Sequence, residues 1–180
     1  MKRTSFDQTF EHKGRQFGMT IEFDDGLSEP WKEHDGHGIV SEWTHRAKTP
    51  GERVLVQDRN SYRYYDFAET MKLARKDGWG PRDNIEGESN GQRLVRAVEQ
   101  DFEHLRAWCN GEWHWCGIIV ALLDSDGEGT GETESLWGME DSDTNYLNME
   151  ARELADTILD RTDAAFVEAS ESERPDLYAK

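Results

Sequence analysis

At 180 residues and a formal net charge of −17, the chain has room for one domain and repels nucleic acid and anionic membrane alike. Apolar residues make up only 35 %, yet Trp, Phe and Tyr reach 11 %, which excludes a disordered acidic tail and points to a folded domain with a thin, aromatic-rich core. No stretch approaches the ~20 apolar residues of a membrane span.

In chain order, the basic start at Met1 to Phe10 is followed by no apolar segment of the kind a secretory signal needs, so the expected location is the cytosol. Arg15 to Phe23 alternates, with Phe17, Met19, Ile21 and Phe23 on one side, as a strand does. Gly36 to Trp43 and Glu52 to Gln57 are expected as short strands separated by the Pro50-Gly51 turn, with Tyr62 to Tyr65 extending the sheet. Asp66 caps a helix, with Glu69 placed for a capping box, and Gly78 ends it. A polar connector from Gly80-Pro81 to Gly91 leads to a second helix over Gln92 to Cys109, whose Leu94, Val98, Phe102, Leu105 and Cys109 share one face. Asn110-Gly111 stops it.

Trp113 to Leu123 is the strongest strand, and the unbroken apolar run Ile118 to Leu123 requires cover on both faces. Asp124 to Gly131 is a Gly-rich acidic turn and Glu132 to Met139 the returning strand, which makes a long β-hairpin. The last helix is expected from Asp143 or Thr144 to Val167, burying Leu147, Ala151, Leu154, Ala155 and Ile158. The expectation is therefore one α+β domain over 1–180, an antiparallel sheet with about three packed helices and a frayed tail over 170–180.

Charge is distributed unevenly. Residues 107–180 hold 18 acids against Arg152, Arg161, Arg174 and Lys180, and from Ala107 to Ala151 ten carboxylates occur with no Lys or Arg. Ordinary surfaces intersperse both signs. The candidate partner-binding residues are the turn and hairpin acids Asp124, Asp126, Glu128, Glu132 and Glu134, the connecting Glu140, Asp141 and Asp143, and Glu153, Asp156, Asp160 and Asp163 on the outer helix face. If hairpin and helix pack side by side, these groups form one negative surface suited to a basic protein and able to compete with a nucleic-acid backbone for it.

Other chemistries are weaker. Asp124, Asp126, Glu128, Gly129, Thr130 and Glu132 imitate the start of a calcium loop, but position 12 is Ser135 rather than a bidentate Glu. His34, His37 and His45, near Glu33 and Asp35, offer zinc-like spacing without an evident fourth ligand. His114, between Trp113 and Trp115, is read as bonded within the fold. Cys109 and Cys116 match no zinc or redox spacing and are read as free thiols. No Walker loop, nucleophile elbow or dinucleotide fingerprint occurs. Gly127, Gly129 and Gly131 lie among acids that repel phosphate. Arg59, Tyr62, Arg63, Tyr64 and Tyr65, with Lys72, Arg75 and Lys76, form the only basic aromatic patch; packing accounts for it as well as base stacking does.

The run Trp108-Cys109-Asn110-Gly111-Glu112-Trp113-His114-Trp115-Cys116-Gly117-Ile118-Ile119-Val120, with Glu134-Ser135-Leu136-Trp137-Gly138, resembles a segment of small acidic accessory proteins of tailed bacteriophages. Tyr64-Tyr65-Asp66-Phe67-Ala68 and Gly78-Trp79-Gly80 are similar to another part of them. The resemblance spans residues 60–160 and transfers no catalytic residue. It implies a protein acting in the host cytoplasm on a host nucleic-acid-handling or defence protein, as anti-restriction and anti-CRISPR inhibitors do, without enzyme activity or cofactor. The alternatives are a small metal-binding protein or enzyme using the His34/His37/His45 loop or the Asp124 to Glu134 carboxylates, and a virion structural or assembly factor.

Overall fold

A computed structural model describes residues 5–172, with side chains through residue 164, so the tail expected over 170–180 falls outside the described side chains. Over the described residues the fold is α+β: a four-stranded antiparallel sheet of order β1-β2-β5-β6, a two-stranded sheet β3-β4, and four helices. The chain divides into two compact units, Met1–Asp25 with His114–Lys180, and Gly26–Trp113 inserted between them. They are called here the sheet unit and the inserted unit.

In the sheet unit, β1 (Gln8–His12) and β2 (Arg15–Phe23) form a hairpin whose two turn residues, Lys13 and Gly14, have φ of 47° and 73°. Two positive φ values in succession match the right-handed twist of the flanking strands. The sequence reading started this sheet at Arg15 because β1 carries only Phe10 as a large apolar side chain. β5 (Trp115–Leu123) lies between β2 and β6 (Gly129–Glu140), antiparallel to both. The expected interior strand and long hairpin are therefore present. α4 (Thr144–Ser172) lays Leu147, Ala151, Ala155 and Ile158 against Phe17, Met19, Ile118, Val120 and Leu122. On the opposite face two strand glycines are roofed by aromatic rings, Gly18 by Phe6 and Gly117 by Trp137. That explains how a continuous apolar strand is covered on both sides with one helix.

In the inserted unit, α1 (Pro30–Glu33) is a single turn, and β3 (Glu52–Asp58) pairs with β4 (Ser61–Asp66). The strand expected over Gly36 to Trp43 is not formed. Its segment makes only isolated bridges, Val40 to Tyr65 and Thr44 to Tyr62. At its start the backbone donors go to side chains, Gly38 N–H to Asp101 and Ile39 N–H to the Thr70 hydroxyl, so that only scattered backbone bonds to β4 remain, such as Ser41 N–H to the Tyr64 carbonyl. α2 (Phe67–Asp77) starts at Asp66, whose carboxylate accepts from Glu69 N–H, and stops at Gly78 with φ 73°. The reciprocal half of that capping box is missing because Glu69 pairs with Lys72. A complete box instead opens α3 (Asn90–Cys109), between Ser89 and Gln92. α3 closes a core of Leu55, Tyr65, Ala74, Leu94, Val98, Phe102 and Leu105.

Candidate functional site

The sheet unit holds 22 acidic and 8 basic residues, net −14, and the inserted unit 16 and 13, net −3. The imbalance of the sequence is thus an imbalance between two structural units. Within the sheet unit the predicted acids fall into three groups with different fates. At the hairpin tip, Asp124 accepts from the backbone N–H of Asp126 and of Glu128, so its carboxylate shapes the turn. Thr130, the next ligand of the calcium-loop reading, donates its hydroxyl to the Leu122 carbonyl. The spacing that imitates a calcium loop is explained by turn hydrogen bonding.

At the other end of β6, Glu140 accepts from Ser142, Asp141 accepts from His114 N–H at 2.8 Å, and Asp143 accepts from Asn145 and Tyr146 N–H at the start of α4. The two groups are separated by the length of a twelve-residue strand, roughly 35 Å. They do not form one tight cluster.

α4 links them. Of its four outer acids, Asp156 is not free: it accepts from His12 at 2.5 Å and Lys13 at 2.9 Å across the sheet, and the Lys13 and His12 hydrogen bonds hold its carboxyl below the usual range. Glu132 and Glu134, on the strand face beneath the helix, are both paired with Arg161. Of the twelve predicted contact residues, Glu153, Asp160 and Asp163, with Asp126 at the tip, are exposed and make no ion pair among the described residues.

The histidine loop comes apart in the fold. His37 is half-buried, with Nδ1 2.7 Å from Asp101 Oδ1. His45 Nδ1 lies 3.0 Å from the Asn60 carbonyl. His37 also stacks on His104 at 6.0 Å, and His104 stacks on Trp113 at 4.7 Å. Among the described residues no group of three His, Cys, Asp or Glu side chains is placed to hold a metal ion. Asp101 is the hub, also accepting from Tyr65 OH at 2.7 Å and from Gly38 N–H at 2.8 Å. Burial, reinforced by the Asp101 charge, pushes the Tyr65 phenol well above its ordinary pKa, so it stays a donor. His114, as expected, is bonded within the fold.

The basic aromatic patch is taken up by packing. Arg63, Tyr64 and Tyr65 are buried, Tyr64 OH donates to the Arg46 carbonyl, and Tyr62 stacks on Tyr64 at 5.8 Å. What the sequence reading missed is where Arg63 goes. Trp31 and Trp43 flank its guanidinium, and Trp108, from a third segment, meets Trp31 edge to face. The only signal for that was the abundance of Trp. Comparison with protein-family models, curated proteins and solved structures gives no match.

Proposed function

We propose that this protein is a binding module that engages a basic partner protein through the outer face of α4 and the β5–β6 tip. The supporting observation is the confinement of a net −14 to the sheet unit, with Glu153, Asp160 and Asp163 directed away from the apolar stripe and unpaired among the described residues. Charge of one sign at exposed, unpaired positions contributes little to folding. It raises the rate of encounter with an opposite charge by ~10–10³-fold and makes binding salt-sensitive. The resemblance to phage accessory proteins suggests the partner: a host protein with a Lys/Arg-lined nucleic-acid channel, such as a defence nuclease, inhibited by occupation of that channel.

The test is capture of partners from host lysate, at low and moderate salt, by the parent and by a triple variant Glu153→Lys, Asp160→Lys, Asp163→Lys. The parent is expected to retain a basic protein that elutes as salt rises. The variant should lose it by ~10-fold or more while keeping the parent's melting temperature, since exposed substitutions change stability little. Reversing three exposed acids of the inserted unit, Asp58, Asp77 and Glu86, should change capture much less. Undiminished capture by the folded α4 variant would refute the reading. Asp156 is left out because its reversal would place a second cation beside Lys13 and remove the acceptor that His12 bonds.

A further inference from the structure

The inserted unit carries an open pocket of about 200 Å³ lined by Trp31, Trp43, Trp108, Val56, Arg63 and Glu29. Every wall residue belongs to that unit. Trp31 and Trp108 meet edge to face at 5.6 Å, and Trp43 is 45 % exposed at the cavity. Arg63 is the polar centre. Its side chain is only 7 % exposed, its Nη2 donates to Glu29 Oε1 at 2.6 Å, and its guanidinium carbon lies 5.2 Å and 5.3 Å from the ring centroids of Trp31 and Trp43. Its Nη1 is buried and has no acceptor among the described residues. A buried donor without an acceptor is destabilising, because it has lost its water and gained no partner. The fold therefore keeps a charged donor, closed off from solvent, beside a tryptophan-lined pocket, and movement of the exposed Trp43 indole would uncover it to a ligand acceptor.

The surroundings select the ligand's charge and shape. A cationic ligand of the kind aromatic cages bind is disfavoured, because the guanidinium beside Trp31 and Trp43 would repel a second positive charge. An anion is disfavoured: Glu29 sits against the same guanidinium and Glu42 approaches to 4.0 Å. Although burial opposes it, hydrogen bonding from its own backbone and from Lys32, with the charges of Arg63 and Lys32, keeps Glu29 below the usual carboxylate range and therefore ionised. A neutral oxygen acceptor suits Nη1. Indole walls favour a flat ring, and 200 Å³ holds one heterocycle with its immediate substituents. Cys109 also borders the cavity, but burial pushes its thiol up to about 11, so the thiol is protonated at neutral pH and adds surface rather than a nucleophile.

We propose that this cavity binds a neutral planar heterocycle that presents a carbonyl oxygen to Arg63, with a free nucleobase or nucleoside as the ligand class. The base of a nucleic-acid strand carries the same ring, but the net charge of −17 opposes the polyanion attached to it. Trp43 is the entry residue: it is exposed and belongs to the segment between Val40 and Thr44 that makes only isolated bridges, so its indole can move without breaking a strand ladder.

The experiment is titration of the full chain with uridine, guanosine and thymidine, followed by tryptophan fluorescence and calorimetry. Purine ribonucleoside lacking any ring carbonyl, tetramethylammonium and a short single-stranded oligothymidine serve as comparison arms. Saturable quenching by the carbonyl-bearing nucleosides is expected, with ~10-fold weaker binding of the carbonyl-free one. Trp43→Ala, at an exposed position outside regular structure, should keep the fold and weaken binding ~10-fold, as loss of one base-stacking partner does. Arg63→Lys, if folded, should erase the preference for the carbonyl. Absence of saturation at millimolar nucleoside overturns the proposal, as does binding indifferent to Trp43→Ala or displacement by tetramethylammonium. Tighter binding of the oligothymidine than of thymidine at moderate salt overturns the assignment to a free ligand.

Discussion

The two units reach stability by different means. In the sheet unit the core is hydrocarbon with sulfur, from Phe17, Met19, Ile118 and Val120 to Ile158, and Thr20 is its one buried polar residue among those described. The inserted unit buries Glu52, Arg63 and Thr70 and holds Asp101 under three donors. Five of the seven tryptophans lie there as well. Area burial is indifferent to what the outer surface carries, so the sheet unit tolerates a net −14. Directed hydrogen bonds fix particular atoms, so the inserted unit can hold a charged donor beside a cavity. Under the two proposals above, binding by surface charge falls to the sheet unit and binding by shape and donor geometry to the inserted unit.

The largest effect should come from putting one charge into the hydrocarbon core. Ile118 is fully buried on the central strand, whereas neighbouring Ile119 is only partly buried, which makes Ile118 the sharper probe. Ile118→Asp should cost several kcal/mol, comparable with the ~5–15 kcal/mol total stability of a domain. Circular dichroism should show loss of cooperative unfolding. A cooperative transition within ~1 kcal/mol of the parent would show that the sheet core is not what holds this unit.

In the inserted unit the corresponding lesion is polar. Asp101→Asn keeps the shape but removes the charge that His37, Gly38 N–H and Tyr65 OH converge on, and should cost about 2–3 kcal/mol. Gly38→Ala attacks the same network sterically. A methyl there would overlap the Tyr65 ring and hydroxyl, and Tyr65 is fully buried with no room to retreat. Denaturant unfolding should show both variants destabilised by similar amounts and their double variant by less than the sum, because they break one network. Additive losses would mean that Tyr65 and Asp101 act separately.

These networks also mark where sequence reading stops. Hydrophobic period found β2, β5, β6, α2, α3 and the stripe of α4, since each is local and long enough to show its repeat. It failed over Gly36 to Trp43, where side chains 63 and 31 positions away in the chain take the backbone donors of Gly38 and Ile39 that a strand neighbour would have taken. Local pattern cannot contain such a partner. The acidic bias was legible as composition, but its division was not. Arg161 lies 27 residues from Glu134 and Asp156 lies 144 from His12, so only the fold separates neutralised acids from open ones. The Trp31, Trp43 and Trp108 cavity was invisible for the same reason.

Acid tests the inserted unit's charge pairs directly. Glu52 is buried, accepts both Arg46 nitrogens at 2.5–2.7 Å and also Thr49 N–H, and its pKa falls from 4.5 to about 2, chiefly through the Arg46 hydrogen bonds. Because the folded value lies below the unfolded one, the unfolded chain takes up the proton first as pH falls. The contribution is therefore complete above pH 4.5 and is lost progressively down to about 2. Glu52→Gln should cost about 1–2 kcal/mol near neutral pH. The melting-temperature gap between parent and variant should close as pH approaches 2. A gap that persists in acid would mean that packing of the side chain, not its charge, is what matters.

The smallest effect sharpens the comparison most, because one substitution can be made in both units. Gly117 lies on β5, and a methyl there would overlap the ring of Trp137 much as one at Gly38 overlaps Tyr65. Trp137, however, is 44 % exposed, and its indole N–H makes only a 3.3 Å hydrogen bond to the Ser135 hydroxyl. The ring can swing outward into water, and replacing a strand glycine by alanine recovers ~0.5–1 kcal/mol of backbone entropy. Gly117→Ala should therefore change stability by less than about 1 kcal/mol while shifting tryptophan emission to the red as Trp137 becomes more exposed. Gly38→Ala should cost about 2–3 kcal/mol, because a buried phenol bonded to Asp101 has nowhere to go. Equal costs at the two glycines would show that Trp137 is held as firmly as Tyr65, and that the sheet unit too depends on a fixed aromatic contact outside its hydrocarbon core.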